Sequence, residues 1–163
     1  MKTYEKINTQ LDNLLNAYSP YSTDENKELN SEFANYIFNQ SDDVGFKSEI
    51  EINIKLKKDA SEEDKNRFKK VFVNHYNRHI KEVKQDIKRC FISATIMMMI
   101  AVLLTTIYYF LPQNYFVFEF MAEIGSWVFA WEAIYIVGFK VPSITRKNYL
   151  YKKLLRAKIN FYN

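Results

Sequence analysis

His75 and His79 stand i, i+4, with Glu82 three residues further on. On a helix this spacing would present imidazoles and a carboxylate to zinc. The run H-Y-N-R-H, however, has no glutamate where a metalloprotease helix carries its general base. Two His and one acid leave such a centre incomplete, and they read as exposed helix residues. Cys90 is the chain's one cysteine, so neither a disulfide framework nor a thiolate zinc site can be built. At the edge of an apolar run it reads as a small filler. The three glycines do not cluster, which excludes a phosphate-cradling loop. No Ser-His-Asp set or paired-carboxylate site can be assembled. The chain reads as no enzyme, with no metal and no cofactor.

Three carboxylates make a sharper feature. Between Cys90 and Lys140 the only charges are Glu119, Glu123 and Glu132. An ionisable group inside a bilayer costs a few kcal/mol on insertion scales, so it turns toward protein or water. At 3.6 residues per turn Glu119 and Glu123 share a helix face, while Glu132 lies half a turn from Glu123. They cannot all point into one straight pore. One set would line water and the other would bond to a neighbouring helix, with pore lining and assembly equally open. Glu119 also fits an interfacial, snorkelling position.

Cations form the other candidate group. Lys55, Lys57, Lys58, Lys65, Arg67, Lys69 and Lys70 crowd one stretch. Such a run is usually a solvated face or a contact to anionic lipid. A polyanion held here would instead touch the element that feeds the first apolar span.

The elements that carry these groups follow from the distribution of charge. The mean hydropathy of −0.32 suits a soluble protein. Yet all 23 Lys and Arg lie outside residues 91–139. Phe91 to Leu111 is uncharged, and Phe116 to Phe139 holds only the three glutamates. At about 1.5 Å per residue each would cross a ~30 Å hydrocarbon layer. Pro112-Gln113-Asn114-Tyr115 leaves room only for a tight turn. Lys81, Lys84, Lys88 and Arg89 precede the first span, and Lys140, Arg146, Lys147, Lys152, Lys153, Arg156 and Lys158 follow the second. The positive-inside bias then puts both termini in the cytoplasm of a multi-pass membrane protein. Tyr108, Tyr109, Tyr115, Phe116 and Phe118 would form an interfacial belt at the outward turn. No apolar run precedes residue 91, so residues 1–90 are expected to fold in the cytosol, with no signal peptide.

Residues 3–17 place Ile7, Leu11, Leu14 and Leu15 at helical spacing, and residues 28–39 repeat the pattern. Both predict helices, making residues 1–40 a helical section. Residues 44–56 change period: Val44, Phe46, Ile50, Ile52, Ile54 and Leu56 fall on alternate positions, as in a half-buried strand. Its expected partner is the C-terminal stretch with Ile159 and Phe161, in a two-stranded sheet. A neighbouring subunit is the other option. Ser61 precedes three acids as a helix cap, and neither Gly nor Pro interrupts the chain from there to Leu111. This predicts one long helix entering the first span, with a break near Cys90 as the alternative. The fold class is therefore an α-helical membrane protein: a two-helix transmembrane hairpin with a small α+β cytoplasmic domain. Its sections are residues 41–90 (strand and lever helix), 91–111 (first span), 112–115 (turn), 116–139 (second span) and 140–163 (basic helix and strand).

The stretch Ser126-Trp127-Val128-Phe129-Ala130-Trp131-Glu132-Ala133, followed by Arg146-Lys147 and Tyr151 to Phe161, resembles a family of bacterial two-span inner-membrane proteins. In layout the chain is similar to the membrane channel effectors of the Hailong anti-phage defence system. The resemblance spans residues from about 49 to 162. It implies an oligomeric channel of four or more copies, with a tetramer expected. It also implies gating by an oligonucleotide that a partner nucleotidyltransferase makes, and a defence role. On that resemblance Glu123 and Glu132, with Trp127 and Trp131 of the W-x-x-x-W motif, are pore or assembly residues, and residues 1–40 a ligand-sensing section. The alternative is a non-conducting membrane anchor that recruits a cytosolic partner.

Overall fold

The computed structural model describes residues 4–23, 25–45, 48–110 and 116–162. The element order is β1 (Tyr4–Leu11), a 3-10 turn (Leu14–Ala17), α1 (Ser31–Asp42), β2 (Glu49–Leu56), α2 (Glu62–Phe110), α3 (Phe116–Tyr135), a π-helical turn (Ile136–Lys140), α4 (Val141–Leu155) and β3 (Lys158–Tyr162). The expected turn Pro112–Tyr115, with Leu111, lies outside the described residues, as do Phe46 and Lys47 of the expected strand. The chain divides into two units. A sheet unit takes residues 1–82 with 148–163, and a helical unit takes 83–147.

In the sheet unit β2 behaves as its alternation predicts. Ile50, Ile52, Ile54 and Leu56 are buried while Glu49, Glu51, Asn53 and Lys55 point the other way. β3 pairs with it as expected, parallel, with Ile52 opposite Ile159 and Ile54 opposite Phe161. The sheet nevertheless has three strands, in the order β1-β2-β3 and all parallel, rather than two. The helix expected over residues 3–17 is instead β1 and the 3-10 turn. Ile7 and Leu11 satisfy the i, i+4 spacing of a helix, yet they equally share one face of a strand, with Thr9 between them. Pairing along β2 decided between the two, a contact that no local period reveals. Asn13 caps the 3-10 turn by accepting from the Leu15 N–H, and this buries Leu14 and Ala17.

Helices cover one face of the sheet. Phe33, Ala34 and Ile37 of α1, Phe68, Phe72 and Tyr76 of α2, and Leu154 of α4 complete a single core. Asn30 caps α1 through the Glu32 N–H at 2.8 Å. Ser61 caps α2 as predicted: its Oγ accepts from the Asp64 N–H at 3.1 Å and donates to the Asp64 carboxylate at 2.7 Å. From Glu62 the helix then runs without a break to Phe110, so it is not interrupted near Cys90.

Among the described residues, no helix covers the opposite face of the sheet. Its rows read across the strands as Lys6–Glu51–Lys158, Asn8–Asn53–Asn160 and Gln10–Lys55–Tyr162. In the middle row Asn53 Nδ2 donates to Asn8 Oδ1 and Asn160 Nδ2 donates to Asn53 Oδ1, each at 3.1 Å. Parallel sheets are ordinarily covered on both faces. Here polar side chains bonded to one another stand where a second layer would be.

In the helical unit α3, the π-helical turn and α4 follow one another without a break, so the expected second span and basic helix are one element from Phe116 to Leu155. Pro142 explains the five-residue turn. It has no N–H to give the Gly138 carbonyl, and its ring would crowd that oxygen. The backbone widens instead, with the Val141 N–H reaching back to the Ile136 carbonyl.

Candidate functional site

α2 and α3 are long and apolar enough to cross a membrane. Small residues line their contact. Ala94, Ala101, Ala122 and Ala133 are buried, together with Cys90 and Ile136, in a unit where large apolar side chains face outward. Leu104 meets Gly125, and Tyr108 shares a pocket with Glu119, while Ala94 packs near Ala133. The two helices therefore run antiparallel. A Cβ added at Gly125 would stand 3.0 Å from Leu104 Cδ1. Close approach through small residues is the usual way apolar helices associate in lipid. Gly125→Leu should accordingly destabilise the helical unit by about 1–3 kcal/mol through overpacking. Thermal unfolding in detergent checks this, with Gly125→Ala expected to cost less.

The structure brings two of the three glutamates together. Glu119 and Glu123 line a pocket of about 370 Å³ with Tyr108, Phe116 and Phe120. Glu119 is half-buried and Glu123 exposed. Glu132 is exposed on another face of the helix, beside Trp131. Trp127 and Trp131 point outward, at 72% and 66% exposure. Nothing among the described residues covers the two indoles. Ser126 and the span threonines add no polar lining: the Ser126 hydroxyl donates to the Glu123 carbonyl, and Thr95, Thr105 and Thr106 donate to carbonyls four residues back. The two carboxylates and the Tyr108 phenol are the polar chemistry of this pocket.

The seven expected cations do not converge. Lys57 pairs with Asp12 at 2.6 Å and Lys65 with Glu62 at 2.9 Å, while Lys69 lies over the Phe161 ring. Lys55 belongs to the open sheet face. On α2 Lys69 lines a cavity with Phe72 and Leu154, Arg67 lies near the Tyr18 phenol, and Lys70 is exposed. Another group gathers instead. Lys152, Lys153 and Arg156 line a cavity of about 310 Å³ with Tyr149, Ser48 and Glu49. Lys153 is buried and donates to the Gly45 carbonyl at 2.7 Å, and the Glu5 carboxylate accepts from the Gly45 N–H. Burial pushes the Lys153 ammonium below its ordinary pKa, against the pull of Glu5. The signal was present as K-K-x-x-R on α4, but there it reads as flanking charge for a membrane span.

The histidines form a stacked group with no metal cluster among the described residues. His79 Nδ1 lies 2.9 Å from Glu82 Oε2. The His79 ring stacks on Tyr151 at 5.4 Å and meets His75 at 4.6 Å. Burial, with help from His79 and Arg78 against Glu28 and Glu82, pushes the His75 pKa down to about 4. In the unfolded chain it titrates near ~6.5. Between those values the unfolded state binds the extra proton, so the contribution is fully present above pH 6.5 and is lost as pH falls toward 4. Allowing for solvent screening, the loss should reach about 2 kcal/mol. Urea midpoints measured at pH 7 and pH 4.5 check this, and His75→Phe should flatten the difference.

No protein-family model, no curated protein and no solved structure matches this chain.

Proposed function

We propose that the chain is the subunit of an oligomeric, ligand-gated cation channel in a bacterial inner membrane. The observation that carries the reading is the pairing of Glu119 and Glu123 around one pocket of an otherwise apolar helix pair. A carboxylate pair on a span is costly unless it faces water or protein. Two helices enclose no water path, so copies must assemble around it, four or more by the size of the spans. Ringed carboxylates then favour cations through field strength. The outward Trp127 and Trp131 are the proposed contacts between copies, with Glu132 beside them. Both termini face the cytoplasm by the charge of the flanking segments.

The proposed ligand is a polyanion on the cytosolic side, anchored at the Lys152–Lys153–Arg156 cavity of the sheet unit, where cations gather as those from Lys55 to Lys70 do not. An oligonucleotide ligand and an anti-phage role rest on the resemblance of the Ser126–Ala133 stretch. Reconstitution in vesicles with a cation-flux readout tests the proposal. Flux that changes on adding or removing an oligonucleotide is expected. Vesicle-bound protein with no flux in either state would leave the other reading, a non-conducting anchor that recruits a partner.

A further inference from the structure

The open face of the three-stranded sheet carries a legible charge pattern. It stands apart from the pore reading, because an anchor would display it equally. The occupant must be polar, since the face presents an amide row rather than an apolar stripe. Within each copy the amides already bond along the row: Asn160 also donates to Glu51 Oε1 at 2.5 Å. What remains is the charge on either side, Glu51 between Lys6 and Lys158 in one flanking row and Lys55 between Gln10 and Tyr162 in the other.

We infer that this face pairs with the same face of a second copy, the strands of the two sheets running antiparallel about a two-fold axis along the asparagine row. Two symmetric arrangements could close such a pair. With the axis along the strands, each row would meet itself, setting Glu51 against the second copy's Glu51 and Lys55 against the second copy's Lys55. Like charges so opposed are destabilising. With the axis along the asparagine row, the rows on either side exchange places. Glu51 then faces the second copy's Lys55, and Lys55 its Glu51. Lys158 comes over the second copy's Tyr162, an exposed ring, for a cation–π contact. Asn8, Asn53 and Asn160 each meet their own counterpart, and amides both donate and accept. The observed register thus selects one geometry.

The face itself is small. Two strands of eight residues and one of five, about 4.8 Å apart at ~3.3 Å per residue, cover roughly 330 Å² per copy. A free-standing interface takes about 800 Å² a side. Anchoring in one bilayer supplies the difference by raising the effective concentration. For that help the inference rests on the membrane part of the proposed function.

The test uses the full chain in vesicles, in a Cys90→Ser background, with single cysteines in the sheet. Facing sheets stand about 10 Å apart, so a bismaleimide of about that reach should join Asn53→Cys or Asn8→Cys to its own copy. Lys6→Cys, one row off the axis in each copy and so two rows from its counterpart, should not be joined. Adding Glu51→Lys or Lys55→Glu alone should cut the cross-linked yield at least fivefold. Combining both reversals should restore it, because the exchanged charges again face one another. Unchanged thermal unfolding of each variant shows that the sheet is intact. Absent cross-links at both Asn53→Cys and Asn8→Cys in folded protein would overturn the inference. So would a double reversal no better than the single ones. Protection of Asn53→Cys by a single-stranded oligonucleotide in un-cross-linked protein would assign the face to nucleic acid and overturn it too. A chain that alkaline carbonate washes off the vesicles marks failure of the membrane reading instead, which is a distinguishable result.

Discussion

Phe68→Ala is expected to cost about 3–5 kcal/mol, the range for a buried aromatic truncated in a core. Phe68 is completely buried. Its ring meets Tyr18, Phe33, Phe72 and Phe161 at 5.7–6.2 Å, three of them edge-on and Phe72 tilted. Those partners come from the segment after the 3-10 turn, from α1, from α2 itself and from β3. Removing one ring therefore unties elements far apart in sequence, and no single neighbour can swing in to fill the space. A unit of this size holds on the order of 5–15 kcal/mol in total, so the variant should lose much of its stability. Its urea midpoint, set against that of Phe68→Leu, measures the effect. Phe68→Leu should lose far less, because most of the volume remains. A loss below about 1 kcal/mol for Phe68→Ala would mean that this aromatic cluster does not hold the sheet unit together.

The second large effect concerns the carboxylates. If Glu119 and Glu123 face the water path, Glu123→Gln should lower cation flux about tenfold, equivalent to ~1.4 kcal/mol on the permeation barrier. The isosteric amide keeps size and hydrogen bonding while removing charge, so packing is spared. Glu132→Gln should leave selectivity unchanged, since it lies half a turn away. It should instead weaken assembly, read as a smaller particle by mass photometry in detergent. Equal fluxes for Glu123→Gln and the parent protein would remove the pore role from this pair. The reverse outcome, with Glu132 controlling selectivity, would put the water path on the tryptophan side.

Much of this architecture was legible in the order of residues because its signals are local. The alternation from Ile50 to Leu56 predicts β2, and Ser61 with its following acids predicts the start of α2. A stretch free of Lys and Arg up to Lys140, with only three glutamates, predicts a second long apolar helix. β1 was not legible, because an edge strand fully buries only Ile7, and its two clearest apolar residues fit either period. The Lys152–Lys153–Arg156 cavity was hidden for a related reason. Ser48 and Glu49 reach it from a distant stretch, and only the parallel sheet brings the two together. For the glutamates, periodicity correctly separated Glu132 from the other two. The contribution of Tyr108 to their pocket belongs to the pairing of the helices.

The strand order has a consequence for synthesis. β1, α1 and β2 precede the apolar helices in the chain, while β3 follows them, and β2 is joined to β3 through α2, α3 and α4. A nascent chain can therefore pair β1 with β2 early, but one edge of β2 stays open while both apolar helices are made. Phe161, which closes over Phe68, arrives only after them. Completion of the sheet thus reports that the whole helical passage has been made. A ribosome that stops short leaves an unpaired strand edge, a feature that aggregates readily and marks the product for quality control.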